Sequence, residues 1–294
     1  MAQALLAGLI LTSPATTQKD NMSAAYGAAA VAVVIWGATP AATRLAVDSI
    51  DPMMAGILRT VLAAMITLPI AIYVAMPLPK GRDQWLLLMI SASSLFIAFP
   101  LLFSVGINNT SVAHASLINA GIPIFTGLFG AIAERRLPSK TWGLGVAIAF
   151  IGVGALIGYR DTGDGGVTVF GDLLCLASSA ASGLGYVAGT RLAVSIGSRA
   201  SAFWGLGFAG LAMAPGLVIY GDGAQWAVVS GISMAAMVYM ATANSIIAFI
   251  AWYWALNRGG IVAMAPVQFS MPLISLTLAV VVFKESLSPP IILS

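Results

Sequence analysis

The sequence predicts an all-α polytopic membrane protein, folded as an inverted repeat of two five-helix units, and three observations predict it. The first is composition: 60% of the residues are hydrophobic, 8% are charged, and the mean hydropathy is +0.98. Soluble domains carry about 25% charged residues, so this chain cannot dress its surface for water. The second is layout, in which long apolar runs alternate with short polar punctuation. About 20 apolar residues cross a bilayer as a helix, and lipid offers no partner to an open sheet edge. The alternation of a barrel strand is absent. The third is duplication. At a constant offset of 149, Asn108 meets Asn257, Asn119 meets Gln268 and Pro123 meets Pro272. The string Thr43-Arg44-Leu45-Ala46-Val47 recurs letter for letter at Thr190-Arg191-Leu192-Ala193-Val194, and Gln84-Trp85 is echoed by Gln225-Trp226. Internal repeats of this kind mark transporters.

Taken in order, residues 1–25 read as an N-terminal tail, disordered or interfacial, without the basic start of a signal peptide. The first membrane repeat covers 26–160, with spans near 26–43, 53–76, 85–106, 113–133 and 141–159. The second covers 168–294, with spans near 169–190, 201–220, 228–255 and 261–283. The repeat calls for a tenth helix beginning after Ser288, so that helix is expected to be cut short here and the natural chain to continue past Ser294.

Orientation follows from the cations. With the N-terminus cytoplasmic, Lys19, Lys80, Arg82, Arg135, Arg136, Lys140, Arg191, Arg199 and Arg258 fall inside, against Arg44, Arg160 and Lys284 outside. An odd number of helices per repeat then makes the two halves face opposite ways. The net charge of +3 and pI near 9.2 are explained by these anchors, and no nucleic acid partner is expected. Cys175 is the single cysteine, so no intramolecular disulfide, thiolate metal site or cofactor is expected.

Candidate functional residues concentrate in the fourth and ninth spans. Ser116, Asn119, Pro123 and Thr126 share one helical face by spacing, and their repeat partners are Ala265, Gln268, Pro272 and Ser275. An amide in lipid must find a protein or water partner, and proline frees a carbonyl one turn earlier. Two such stripes from opposite halves would face each other across a central cavity; the alternative is that Asn119 and Gln268 merely bond neighbouring helices. His114, the sole histidine, would gate, meet a substrate carboxylate or carry a proton, or else cap loop carbonyls. Trp36 with Tyr186, and Tyr239 with Trp252, would wall an apolar pocket or pack as core. Arg59 lies within the second span, where a charge costs roughly 2.5–3.5 kcal/mol on insertion scales. It is expected to act as an anchor, snorkelling outward or pairing with Asp48 or Asp51. None of the ten acidic residues falls at the middle of a span; Asp172 comes closest, in the first turn of the sixth. That favours facilitated or exchange transport over carboxylate-driven antiport.

Several of these residues resemble the EamA family of the drug/metabolite transporter superfamily. The likeness rests on Trp36-Gly37, Pro52 followed by Arg59, the segment from Ser111 to Leu137 with Glu134, Gly171-Asp172, Pro272, and Glu285-Ser286-Leu287. It implies a ten-helix fold, inverted five-helix repeats and a central substrate cavity. Within the superfamily the chain is similar to bacterial exporters of aromatic amino acids of the YddG type. The expected function is therefore an inner-membrane secondary transporter, monomeric, that exports aromatic or apolar amino acids by alternating access. Its site would hold Trp36, His114, Asn119, Pro123, Tyr186, Tyr239, Trp252, Gln268 and Pro272. Export of amphipathic drugs is the rival within transport. A membrane enzyme would need a nucleophile with its base, a metal cluster or paired carboxylates, which one His and one Cys do not furnish; a passive scaffold would show no saturable flux.

Overall fold

The computed structural model describes residues 14–135, 140–158, 167–221, 226–259 and 264–285. Among the described residues every regular element is helical and no strand occurs. Seven helices are long and apolar enough to cross a membrane. We number the segments α1 to α9. In the first half they are α1 (Met22–Val47), α2 (Pro52–Tyr73), α3 (Arg82–Asn108), α4 (Val112–Glu134) and the shorter apolar α5 (Lys140–Gly158). In the second they are α6 (Val169–Ile196), α7 (Ser198–Gly221), α8 (Gly231–Tyr239, then Met240–Ile247, then Ala248–Gly259) and α9 (Ala265–Ser270, then Met271–Phe283). Helix α1 continues upstream to Pro14, through residues that composition alone leaves to the tail. The expected tenth helix lies outside the described residues.

The polar punctuation between runs does specific work at helix starts. Asp51 accepts from Met54 N at 3.0 Å with Pro52 at the first helical position. Ser111, Thr168 and Ser230 cap α4, α6 and α8 through His114 N, Gly171 N and Ser233 N at 3.0–3.1 Å. Outward faces carry large apolar side chains: Tyr73 is 91% exposed, Val194 87% and Ile151 71%. Such faces suit acyl chains and not water. The chain is a multi-pass membrane protein.

Packing repeats across the two halves. Helices α2 and α7 pack extensively on each other, and α4 meets α9. Around these two pairs the remaining contacts come in exchanges: α1 packs on α8 as α6 packs on α3, α1 on α9 as α6 on α4, and α2 on α8 as α7 on α3. Helix α5 lies outside this scheme, packing lightly on α4 and α6. Two close approaches explain two glycines. A Cβ on Gly37 would sit 2.8 Å from Ile274 Cβ, and one on Gly183 would sit 2.7 Å from Phe125 Cβ and 2.8 Å from the Thr126 backbone N. Phe125 and Ile274 are themselves 149 apart.

The irregularities repeat as well. Helix α3 carries a π-helical stretch at Ala92–Ala98 and α8 one at Met240–Ile247, overlapping at the 149-residue offset. Helix α4 is interrupted at Ala120–Gly121, between Val112–Asn119 and Ile122–Glu134, and α9 is a 3₁₀ turn up to Ser270 before Met271–Phe283. In each, the proline, Pro123 or Pro272, sits at the start of the second piece, where its missing N–H costs nothing. Both pieces end on a left-handed residue, Arg135 at φ 53° and Lys284 at φ 56°, again 149 apart. The fourth and ninth spans, in which a proline was expected to kink the helix or free a carbonyl, are thus each two pieces.

Because backbone and not a flexible tip faces Gly183, Gly183→Ala is expected to destabilise the fold by about 1–3 kcal/mol, read as a lower unfolding temperature of the detergent-solubilised protein.

Candidate functional site

A central cavity lies where the two halves meet, lined from α1, α2, α3 and α4 on one side and α6, α7, α8 and α9 on the other. It encloses about 970 Å³ not filled by protein atoms, counting the part open to the outside. Its floor and walls divide into an aromatic side and a polar side.

On the aromatic side, Phe249 is central. Its ring lies 5.2 Å from Trp36, 5.7 Å from Phe96 and 6.3 Å from Tyr186, and all four line the cavity. Edge-to-face and tilted contacts of this kind keep rings in fixed orientations. Trp252 stands behind, 5.7 Å from Trp36, buried and off the cavity surface. Tyr239 is also off it: its hydroxyl donates to Ile35 O at 2.7 Å, joining α8 to α1.

On the polar side, α4 gives Ser116, Asn119 and Pro123, and α9 gives Gln268, Pro272 and Ser275. Asn119 Oδ1 accepts from Ser179 Oγ of α6 at 3.0 Å, while its amide donors and the Gln268 carboxamide have no hydrogen-bond partner among the described residues. Ser275 donates to Gly37 O, and Ser116 to Val112 O. The outer member of the first stripe, Thr126, is not part of the lining; its hydroxyl donates to Ile122 O at 2.9 Å.

Sequence reasoning missed what joins the two sides. Asn244 is 1% exposed, within the π-helical stretch of α8. Its Oδ1 accepts from Arg59 Nη2 at 2.6 Å, its Nδ2 donates to Thr39 Oγ1, and its backbone O accepts from Trp36 Nε1 at 3.1 Å. One asparagine thereby fastens α1, α2 and α8. Arg59 is 7% exposed, with Nε 3.5 Å from Ser245 Oγ and its guanidinium 5.4 Å from the Phe99 ring centre. The pairing with Asp48 or Asp51 does not occur: Asp51 caps α2, and no carboxylate lies within 4.0 Å of Arg59 among the described residues. Arg59 points inward, to Asn244 and Ser245 on the π-helical stretch of α8 that packs on α2. The available signal was an asparagine inside an apolar run at 240–247, where the first repeat has Leu95 in register.

His114 is not on the cavity surface either. It is buried near the start of α4, its Nδ1 3.1 Å from Asp172 Oδ2. Thr110 Oγ1 donates to the other carboxylate oxygen. Asp172, at 0% exposed, occupies the first turn of α6 as the helix dipole favours, and is held by side chains of the first half. Glu285, just beyond α9, receives Val112 N and Ala113 N at 2.8 Å each, so it covers free N–H groups at the start of α4. The site residues expected from sequence therefore separate: Trp36, Asn119, Pro123, Tyr186, Gln268 and Pro272 meet around one cavity, and His114, Tyr239 and Trp252 support it from outside.

Comparison with known proteins places relatives beside the chain as a whole. The model of the family described as "EamA-like transporter family" matches the chain twice, over residues 23–158 and 169–294. A Bacillus subtilis protein named "Uncharacterized transporter YdeK" is 28% identical over 257 residues, 87% of each chain. The Escherichia coli "Uncharacterized inner membrane transporter YedA" is 24% identical over 263 residues, covering 90% of this chain and 84% of the relative. A solved crystal structure superposes with a TM-score of 0.63 across 92% of both chains at 19% identity, a likeness of fold.

Removing Asp172 by Asp172→Ala strands Thr110 and His114 in a buried place, and is expected to lower stability by about 2–4 kcal/mol. Glu285→Ala, which uncovers two helix N–H groups, should cost about 1–2 kcal/mol. Thermal unfolding in detergent ranks the two; a Glu285→Ala loss larger than that of Asp172→Ala would contradict the burial argument.

Proposed function

The chain belongs to the EamA-like transporter family, and from that premise we propose that it is an inner-membrane secondary transporter exporting small metabolites, with aromatic or apolar amino acids as leading substrates. The observation that carries the proposal is the cavity itself. Aromatic rings and free carboxamides from both halves line one space between them, and a site between repeats is what alternating access requires. Trp36, Phe249 and Tyr186 would enclose the apolar side chain; Asn119 and Gln268 would bind the polar end. The doubled pattern of contacts and helix breaks supports two repeats that rock against each other, inverted if every helix crosses. The Lys and Arg distribution supports a cytoplasmic N-terminus. The name of the YedA relative supports the inner membrane. His114, Tyr239 and Trp252 would hold the cavity in shape without touching substrate.

The test is counterflow of labelled tryptophan and phenylalanine into proteoliposomes, with and without a pH gradient. Saturable uptake is expected, and Asn119→Ala combined with Gln268→Ala should cut the initial rate about thirtyfold, since each lost hydrogen bond is worth about 1 kcal/mol and about 1.4 kcal/mol is tenfold in rate. Unchanged flux from the double variant would remove the two amides from the path.

A further inference from the structure

We propose that the central cavity receives a carboxylate, and that Arg59 is the group that binds it. The inference rests on the cavity being the transport path, and it names the substrate class that this path selects.

Three observations converge. First, among the described residues Arg59 is the one side chain carrying a full charge in the lining, and neither Asp nor Glu lines the cavity. Second, its neighbours are all neutral: the Asn244 and Ser245 oxygens and the Phe99 ring. A buried cation held only by neutral acceptors is under-compensated, because most of its hydration is lost and no opposite charge replaces it. Third, Nη1 has no hydrogen-bond partner, yet no buried side-chain nitrogen or oxygen among the described residues goes unpaired. Nη1 is therefore open, and the space it opens to is the cavity. Asn244 fixes Nη2 and Ser245 lies at Nε, so the remaining donor is pre-oriented before any ligand arrives.

The free amide donors of Asn119 and Gln268 line the same space. Helix dipoles add little, because each break sets the end of one helical piece against the start of the next. The charge preference has to come from Arg59. A single guanidinium matches a carboxylate in charge and planar geometry; a phosphate dianion would need a second cation, which the lining lacks. The cavity offers an ammonium no opposite charge, so cationic drugs are disfavoured while the carboxylate of an amino acid is received.

The first test needs no substrate. Gln268→Cys places a thiol in the cavity, and the native Cys175 is 0% exposed. Its reaction with ethylsulfonate methanethiosulfonate should outpace that with the trimethylammonium analogue by about tenfold, relative to a free thiol. Arg59→Lys should keep the preference and Arg59→Gln abolish it. A preference for the cationic reagent, or one that survives Arg59→Gln, overturns the proposal. Should Arg59→Gln fail to fold, the ratio in the Arg59 protein decides alone. The second test compares inhibition of tryptophan counterflow by indole-3-propionate, which has the acid only, and tryptamine, which has the amine only. The acid is expected to compete about a hundredfold better; equal competition overturns the proposal. The sulfonate preference with no counterflow of any amino acid would sink the transport reading and leave the anion site standing. Counterflow unaffected by Arg59→Gln would do the reverse.

Discussion

In a medium that hydrates nothing, polar groups must be answered from within the protein, and here Asn244 answers three of them at once. Its side chain and backbone satisfy an arginine, a threonine and a tryptophan from two other helices. Without it, Arg59 would lose its closest oxygen at the centre of the bundle, and α1 would lose two of its ties to α8. The π-helical stretch around it follows the same logic. An irregular turn costs little when the carbonyls it disturbs find side-chain donors. Asn244 O finds Trp36 Nε1, and in the corresponding stretch of α3 Phe96 O finds Thr60 Oγ1 at 2.8 Å.

The recurrence of these features at one offset says that duplication preserved geometry longer than it preserved letters. The π-helical stretches, the interrupted helices, the prolines that restart them and the left-handed residues that end them all correspond. The residues between them have diverged. Asn244 answers to Leu95, so the polar joint exists on one side only and the cavity is chemically lopsided within a nearly symmetric frame.

That lopsidedness also explains what could be read from the letters. Helices were legible because apolar length and polar punctuation are one-dimensional properties: each of the nine expected spans overlaps one of α1 to α9, seven of them long enough to cross, and the caps Asp51, Ser111 and Thr168 sit in the expected breaks, while Ser230 starts α8 inside the span expected from 228. The duplicated stripe was legible because Asn119, Gln268 and the two prolines share an offset. The breaks in α4 and α9 were not, since proline at a helix start and proline inside a helix look alike in sequence. Arg59 was visible but its partners were not. A charge in an apolar run predicts that something must answer it, and the sequence offers aspartates nearby. The answer lies 185 residues away, on a helix brought close only by the repeat-exchange packing. His114 shows the converse: its spacing put it near the stripe, but the carboxylate it meets starts a helix in the other half.

The interrupted α4 divides a largely buried piece from a more exposed one. Its start is gripped from the second half at two points, by Glu285 through backbone amides and by Asp172 through His114, and most of Val112–Asn119 is buried. Past Gly121 the picture changes, for Ile122–Glu134 has no fully buried residue at all. That second piece packs instead on α6, where Phe125 and Thr126 meet Gly183 and Arg191 Nη2 donates to Ala133 O. A movement of one piece against the other would turn about Ala120 and Gly121, which puts the pivot on the rim of the cavity.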